Sequence, residues 1–269
     1  MIVLNTYAII TEQFPNKETK VKDFDPYILK DNLLEFTYQE DGDLIKLLFV
    51  KKRIDQEQVN CKLVINYMPY SRMDRKIEGD LFTLQYICAF INDLHFEKVY
   101  VIEPHSAKTI ELLRNSEAIY PALDWLPAIM DQMQFTDQDR IVFPDKGAAA
   151  RYHNTGYDHS CIFDKTRNPE TGRIENMLLK QGDIPKGAKC IIVDDLCSAG
   201  GTFLWAGQTL KQMGASEIYL LVTHCEPRVL SGKLLDQDSP IDKVFTGTSM
   251  MQQTHPKIEY ITINLENYV

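Results

Sequence analysis

The chain predicts an α/β fold with mostly parallel sheets flanked by helices. Short, branched apolar runs recur along it, each ends in a polar loop, and most of those loops lead into a run with helical apolar spacing. The clearest unit is residues 190–202, CIIVDDLCSAGGT. Cys190, Ile191, Ile192 and Val193 predict a buried strand ending at the acid pair Asp194 and Asp195. Ser198, Ala199, Gly200, Gly201 and Thr202 then make a turn small enough for backbone N–H groups to approach an anion, and a helix is expected over 203–213. Such a unit suits a phosphorylated sugar: the loop and helix dipole take the phosphate, while the carboxylates accept hydrogen bonds from vicinal hydroxyls.

The remaining elements follow in order. Residues 2–4, 8–10 and 44–50 read as short strands, 31–38 as an amphipathic stretch, and 14–19 (FPNKET) as a turn. Residues 62–68 predict a strand that ends in PYSRMDRK, where Arg72, Arg75 and Lys76 flank Asp74. Cations just beyond a strand suit a polyphosphate. A core helix is expected after Asp80, then a strand over 98–102 that ends near His105, a candidate metal ligand or phosphate donor. Residues 129–140 read as a connection or short helix, and 141–143 as a strand leading to Asp145. A further strand at 161–163 ends in a polar loop, 164–173, that carries Lys165 and Arg167. Strands over 217–223 (ending at His224), 244–248 and 258–265, with a helical end to 226–235, complete the chain.

Composition narrows the function. At 269 residues the chain has material for one large domain or two ordinary ones. A net charge of −9 argues against a general nucleic-acid binder. There is no apolar run of transmembrane length, and the first residues lack the order of a signal peptide, so a cytoplasmic protein with no membrane partner is expected. The six cysteines have no C-x-x-C pairing and are expected to be packed, reduced thiols.

The motifs carry a resemblance. Val193, Asp194, Asp195, Gly200, Gly201 and Thr202 resemble the V-D-D-x-x-D-T-G-G-T loop of phosphoribosyltransferases and phosphoribosyl-pyrophosphate synthetases, with Ser198 and Ala199 where Asp and Thr are usual. The segment 69–76 resembles the synthetases' P-Y-x-R-Q-D-R-K, with Met73 in place of Gln. Phe14 and Glu18 match their F-x-D-G-E element, with Asn16 for its Asp; the DKTR run resembles their D-K-R-R-P loop, and residues 144–148 their P-D-x-G-G segment.

The resemblance implies two phosphoribosyltransferase-like domains, residues 1–135 and 136–269. Arg72, Asp74, Arg75, Phe14, Asn16 and Glu18 would bind ATP, the last three reaching a neighbouring subunit of a homo-oligomer. His105 and Asp145 would serve Mg²⁺, Lys165 and Arg167 would act on the transferring diphosphate, and the 194–202 unit would hold the ribose phosphate. The implied reaction moves the β,γ-diphosphate of MgATP to the anomeric hydroxyl of ribose 5-phosphate or ADP-ribose. A phosphoribosyltransferase would share the 194–202 loop but has no use for PYSRMDRK or DKTR, and a non-catalytic homologue would have shed Lys165 and Arg167.

Overall fold

The computed structural model describes residues 1–77, 79–153, 159–167 and 174–269; of Arg167, Ile174 and Glu175 it describes the backbone alone. These residues form two compact units, Met1–Ile119 with Leu265–Val269, and Tyr120–Asn264.

In the first unit, β1 (Ile2–Leu4), β2 (Tyr7–Ala8), the hairpin of β3 (Thr11–Gln13) and β4 (Thr19–Val21), and β5 (Asp31–Phe36) come before helix α1 (Gly42–Gln56). Then follow β6 (Asn60–Ile65), α2 (Thr83–Asp93), β7 (Val99–Ile102), the single-turn α3 (Lys108–Leu112) and β8 (Ser116–Ile119). The sheet order is β2-β1-β5-β6-β7-β8: β1 runs antiparallel to β2 and β5, and β5 through β8 are parallel. Leu84, Cys88 and Ile91 of α2 fall at i, i+4 and i+7 and are buried together, the single stripe that an amphipathic helix presents to a sheet.

The second unit opens with α4 (Pro121–Gln132), whose proline at the first helical position carries no N–H to be left unpaired. It continues through β9 (Arg140–Phe143), α5 (Lys146–Arg151), β10 (Ser160–Arg167), β11 (Ile174–Gln181), β12 (Cys190–Cys197), α6 (Gly201–Gln212), β13 (Ile218–Cys225), β14 (Lys243–Gly247) and β15 (Ile258–Ile261). The order is β11-β10-β9-β12-β13-β14-β15, with only the β10–β11 pair antiparallel. Period-two geometry explains the apolar runs. Cys190 and Ile192 of β12 and Ile218, Leu220 and Val222 of β13 enter one core; Ile191, Val193, Tyr219 and Leu221 enter the other, on the opposite face.

Several expectations are corrected. Residues 44–50 are helix, not strand, because Leu47, Val50 and Ile54 bury one face of α1, while 31–36 of the amphipathic stretch is strand β5. Residues 129–132 end α4, so the unit boundary falls at Ile119/Tyr120, not at 135/136: Ala122, Leu126 and Ile129 pack into the core of the second unit. Strand β12 does not stop at the acid pair but pairs with β13 through Cys197, and β13 extends past His224 to Cys225. Residues 227–231 make a 3₁₀ turn. All six cysteines are free and buried. Among the described residues no helix is long and apolar enough to cross a membrane.

Candidate active site

In the second unit the acid pair is held by a residue that the sequence reading passed over. Arg151, the last residue of α5, puts Nη1 3.0 Å from Asp194 Oδ1 and 3.0 Å from Asp195 Oδ1, and all three side chains are largely buried. The Asp195 N–H also donates to Asp194 Oδ1 at 2.9 Å. One guanidinium cannot neutralise two carboxylates. Burial, with the neighbouring Asp195 charge second, pushes Asp194 up to about 8 despite the opposing pull of Arg151; Asp145 adds to the rise. The ladder explains the geometry: β12 puts Asp194 opposite Val222 in β13, and α5 follows β9, the other neighbour of β12.

Beyond Cys197 the chain turns through Ser198 and Ala199 to Gly200, whose φ of 82° is left-handed. Gly200 caps α6, and its carbonyl accepts from the Phe203 and Leu204 N–H groups at 3.1 and 3.0 Å. Glycine is needed here for a second reason: a Cβ would lie 2.7 Å from Leu234 Cβ. Gly201 is exposed and Thr202 half-buried at the helix start, where the first N–H groups have no acceptor within the helix and the dipole favours an anion. Small loop, helix N-terminus and acid pair are therefore adjacent, as the sequence implies.

Asp145 caps α5, its Oδ1 accepting from the Ala148 N–H at 2.9 Å, while Oδ2 lies 2.5 Å from Lys165 Nζ. Burial alone would raise this carboxyl, but Lys165 and the Ala148 and Gly147 N–H groups outweigh it and hold the pKa below the usual value. Lys165 is thus not on a loop. It sits in β10, across from Met177 of β11, because the strand continues four residues beyond Phe163 to Arg167. The Arg167 side chain, and the 168–173 part of the expected loop, lie outside the described residues.

In the first unit, β6 and β7 are parallel neighbours, so the 66–76 segment and the Glu103–His105 turn leave the sheet at one edge. Arg72 and Arg75 are exposed, Asp74 and His105 half-buried. The turn before Arg72 is pinned from behind. Tyr70, at φ 61°, donates its hydroxyl to Asp41, which also accepts from Tyr38 at 2.6 Å, and Ser71 is buried with its hydroxyl 3.3 Å from Tyr67. Residues 14–18 form the tip of the β3–β4 hairpin: the Phe14 N–H donates to Glu18 O at 2.9 Å, Asn16 Oδ1 accepts from the Glu18 N–H at 3.2 Å, and the Phe14 ring is 51% exposed.

Among the described residues no group of three His, Cys, Asp or Glu side chains makes a metal cage. Asp145 has its oxygens on the Lys165 ammonium and the Ala148 N–H; a magnesium ion that keeps its waters and its nucleotide's phosphates would need only one or two protein carboxylates.

No family model matches the chain. The ribose-phosphate pyrophosphokinase of Pyrococcus abyssi is 30% identical over 203 residues, which is 71% of this chain and 67% of that one. This chain belongs to the ribose-phosphate pyrophosphokinase family. A second member, from Hyphomonas neptunium, is 26% identical over 255 residues, covering 91% of this chain and 78% of its own length. The crystal structure of phosphoribosylpyrophosphate synthetase from Mycobacterium smegmatis superposes with a TM-score of 0.74 over 95% of this chain and 86% of that one; at 18% identity it speaks for the fold. As a ribose-phosphate pyrophosphokinase relative, the protein is an enzyme of the diphosphokinase class, with the mixed α/β, phosphoribosyltransferase-like architecture of that group.

Two residues of the site escaped the sequence reading. A buried acid pair demands a counter-cation, and the lone Arg151 closing the KGAAAR helix was available to supply it. Glu226, whose Oε2 accepts from Ser198 Oγ at 2.5 Å, had no signal at all, standing 28 residues away.

Proposed function

We propose that the enzyme transfers the β,γ-diphosphate of MgATP to the anomeric hydroxyl of a 5-phosphoribosyl acceptor, ribose 5-phosphate or ADP-ribose, and releases AMP. The observation that carries this reading is the junction of acid pair, left-handed Gly200 and helix α6. Asp194 and Asp195 accept hydrogen bonds from the ribose hydroxyls while Arg151 holds them in register, and the N–H groups from Ser198 to Thr202 take the 5-phosphoryl oxygens. Arg72, Asp74 and Arg75, with Phe14, Asn16 and Glu18 from another subunit of a homo-oligomer, serve the nucleotide; His105 and Asp145 serve its metal side.

In the transfer the anomeric oxygen bonds to the β-phosphorus and gives up its proton to solvent, the bond from that phosphorus to the α,β-bridging oxygen breaks, and AMP departs with the electron pair. Phosphoryl-type transfer needs positioning and charge neutralisation more than proton chemistry. Lys165 and Arg167 supply the cations, and no general base is assigned. Mg²⁺, bound with the nucleotide, would neutralise phosphate charge. The enzyme is read as cytoplasmic and acting on small molecules alone.

Incubation with MgATP and each acceptor in turn, with AMP followed by chromatography, tests the proposal. AMP should form in step with a diphosphorylated sugar, and Lys165→Ala should cut turnover about 10²- to 10³-fold while leaving acceptor binding in place. No AMP with either acceptor would reject it.

A further inference from the structure

The segment after β13 lies against the anion loop at four points. The Glu226 N–H donates to Cys197 O at 2.8 Å, and Ser198 Oγ donates to Glu226 Oε2 at 2.5 Å. A Cβ placed on Gly232 would meet Ala199 O at 2.4 Å, and one on Gly200 would meet Leu234. Glu226 is half-buried, so its carboxylate is fixed at the first residue of the loop and not swung out into solvent. From Leu196 to Leu204 the chain has no lysine or arginine. The loop's own donors to an anion are therefore neutral N–H groups and a helix N-terminus, with the Glu226 carboxylate fixed close by.

That balance is sensitive to the anion's charge. Hydrogen bonds from backbone N–H groups to non-bridging oxygens are available to a phosphate monoester and a diester alike. Repulsion from a fixed carboxylate at a given distance doubles when the phosphoryl group carries two charges in place of one. The Ser198 hydroxyl is committed to Glu226 and so is not a donor to the phosphate. We infer that Glu226 is a specificity-determining residue of the acceptor site: it disfavours a terminal phosphate dianion and favours a 5-phosphoryl group that is esterified on its far side and carries a single charge. This rests on the reading of the loop as the sugar-phosphate site; of the two acceptors proposed, it favours the one whose phosphate continues into a diphosphate link.

Calorimetric titration of the full chain at pH 8 with ribose 5-phosphate and with its 5-phosphate methyl ester tests the inference. The wild type should bind the methyl ester at least 5-fold more tightly. Glu226→Gln keeps an acceptor for Ser198 and removes the charge, so ribose 5-phosphate should tighten at least 5-fold while the ester stays within about 2-fold. Ser198→Ala removes the hydrogen bond and keeps the charge, so the preference for the ester should persist. A wild-type preference retained in Glu226→Gln, or lost equally in Ser198→Ala, would show that Glu226 only braces the loop and would overturn the inference. If neither ester binds any of the three proteins, the sugar-phosphate reading itself falls, and this inference with it.

Discussion

Asp194 is kept at a cost to the fold. Its carboxyl shares one guanidinium with Asp195 in a buried setting, and burial with the adjacent like charge raises it to about 8. A carboxyl with its folded pKa above the unfolded one binds more protons in the native state, so stability falls as pH rises from the ordinary carboxylate range through about 8. Asp194→Asn removes one of the two carboxylate charges that share the Arg151 guanidinium. The variant should therefore be more stable than the wild type by at least about 1–2 kcal/mol at pH 9, with the gap narrowing as pH falls and closing only in the ordinary carboxylate range near about 4, as read from denaturant midpoints across that range. On the proposed role turnover should also fall, because the amide offers the ribose hydroxyls one acceptor oxygen where a carboxylate offers two. A destabilised variant at pH 9 would mean that Asp194 is a structural ion-pair partner and not a strained site residue. The acid pair itself was legible in the sequence. Its clamp was not, since Arg151 stands 43 positions from Asp194 and a lone cation closing a helix looks like an ordinary last-turn residue.

Among the elements, those buried on both faces were the most legible. The runs that became β7, β9, β12 and β13 are short, largely apolar and bounded by polar turns, as strands inside a parallel sheet are. Helix α1 was misread because residues 44–50 are apolar nearly throughout, and the stripe that decides the period closes only at Ile54. The arm carrying Lys165 looked like a loop because its residues are polar. It is a strand because the β10–β11 pairing supplies backbone partners that composition does not reveal. Nor does composition show that the anion loop leans on the 226–234 segment. Gly232 has ordinary extended backbone, so its value lies in the close approach to Ala199 O, where a Cβ would come within 2.4 Å of a backbone oxygen. Gly232→Ala must push that segment or the loop aside. We expect a loss of about 1–3 kcal/mol and a weaker acceptor KM, with the KM for ATP little changed. Equal rises in both KM values would mean that the damage is not confined to the loop.

At the scale of the whole molecule, the two units hold separate cores. Ile2, Leu34, Leu63 and Val101 belong to the first, whereas the clusters around Val142 and Ile192 and around Ile191 and Phe245 belong to the second. A chain with separate cores need not unfold in one step. The two tryptophans make this measurable: Trp125 lies on α4 and Trp205 on α6, so indole fluorescence reports the second unit only, while far-ultraviolet circular dichroism reports helices in both. The two probes should therefore give non-coincident urea transitions. An acceptor that binds the native anion loop should stabilise the second unit by mass action, by about 2.7 kcal/mol at a hundred times its Kd, and so raise the fluorescence midpoint. It should shift the dichroism trace only over the part that the second unit contributes. Coincident transitions that move together on adding acceptor would mean that the units are coupled into one cooperative block. In that case loop substitutions such as Gly232→Ala would have to be judged by their effect on the entire chain.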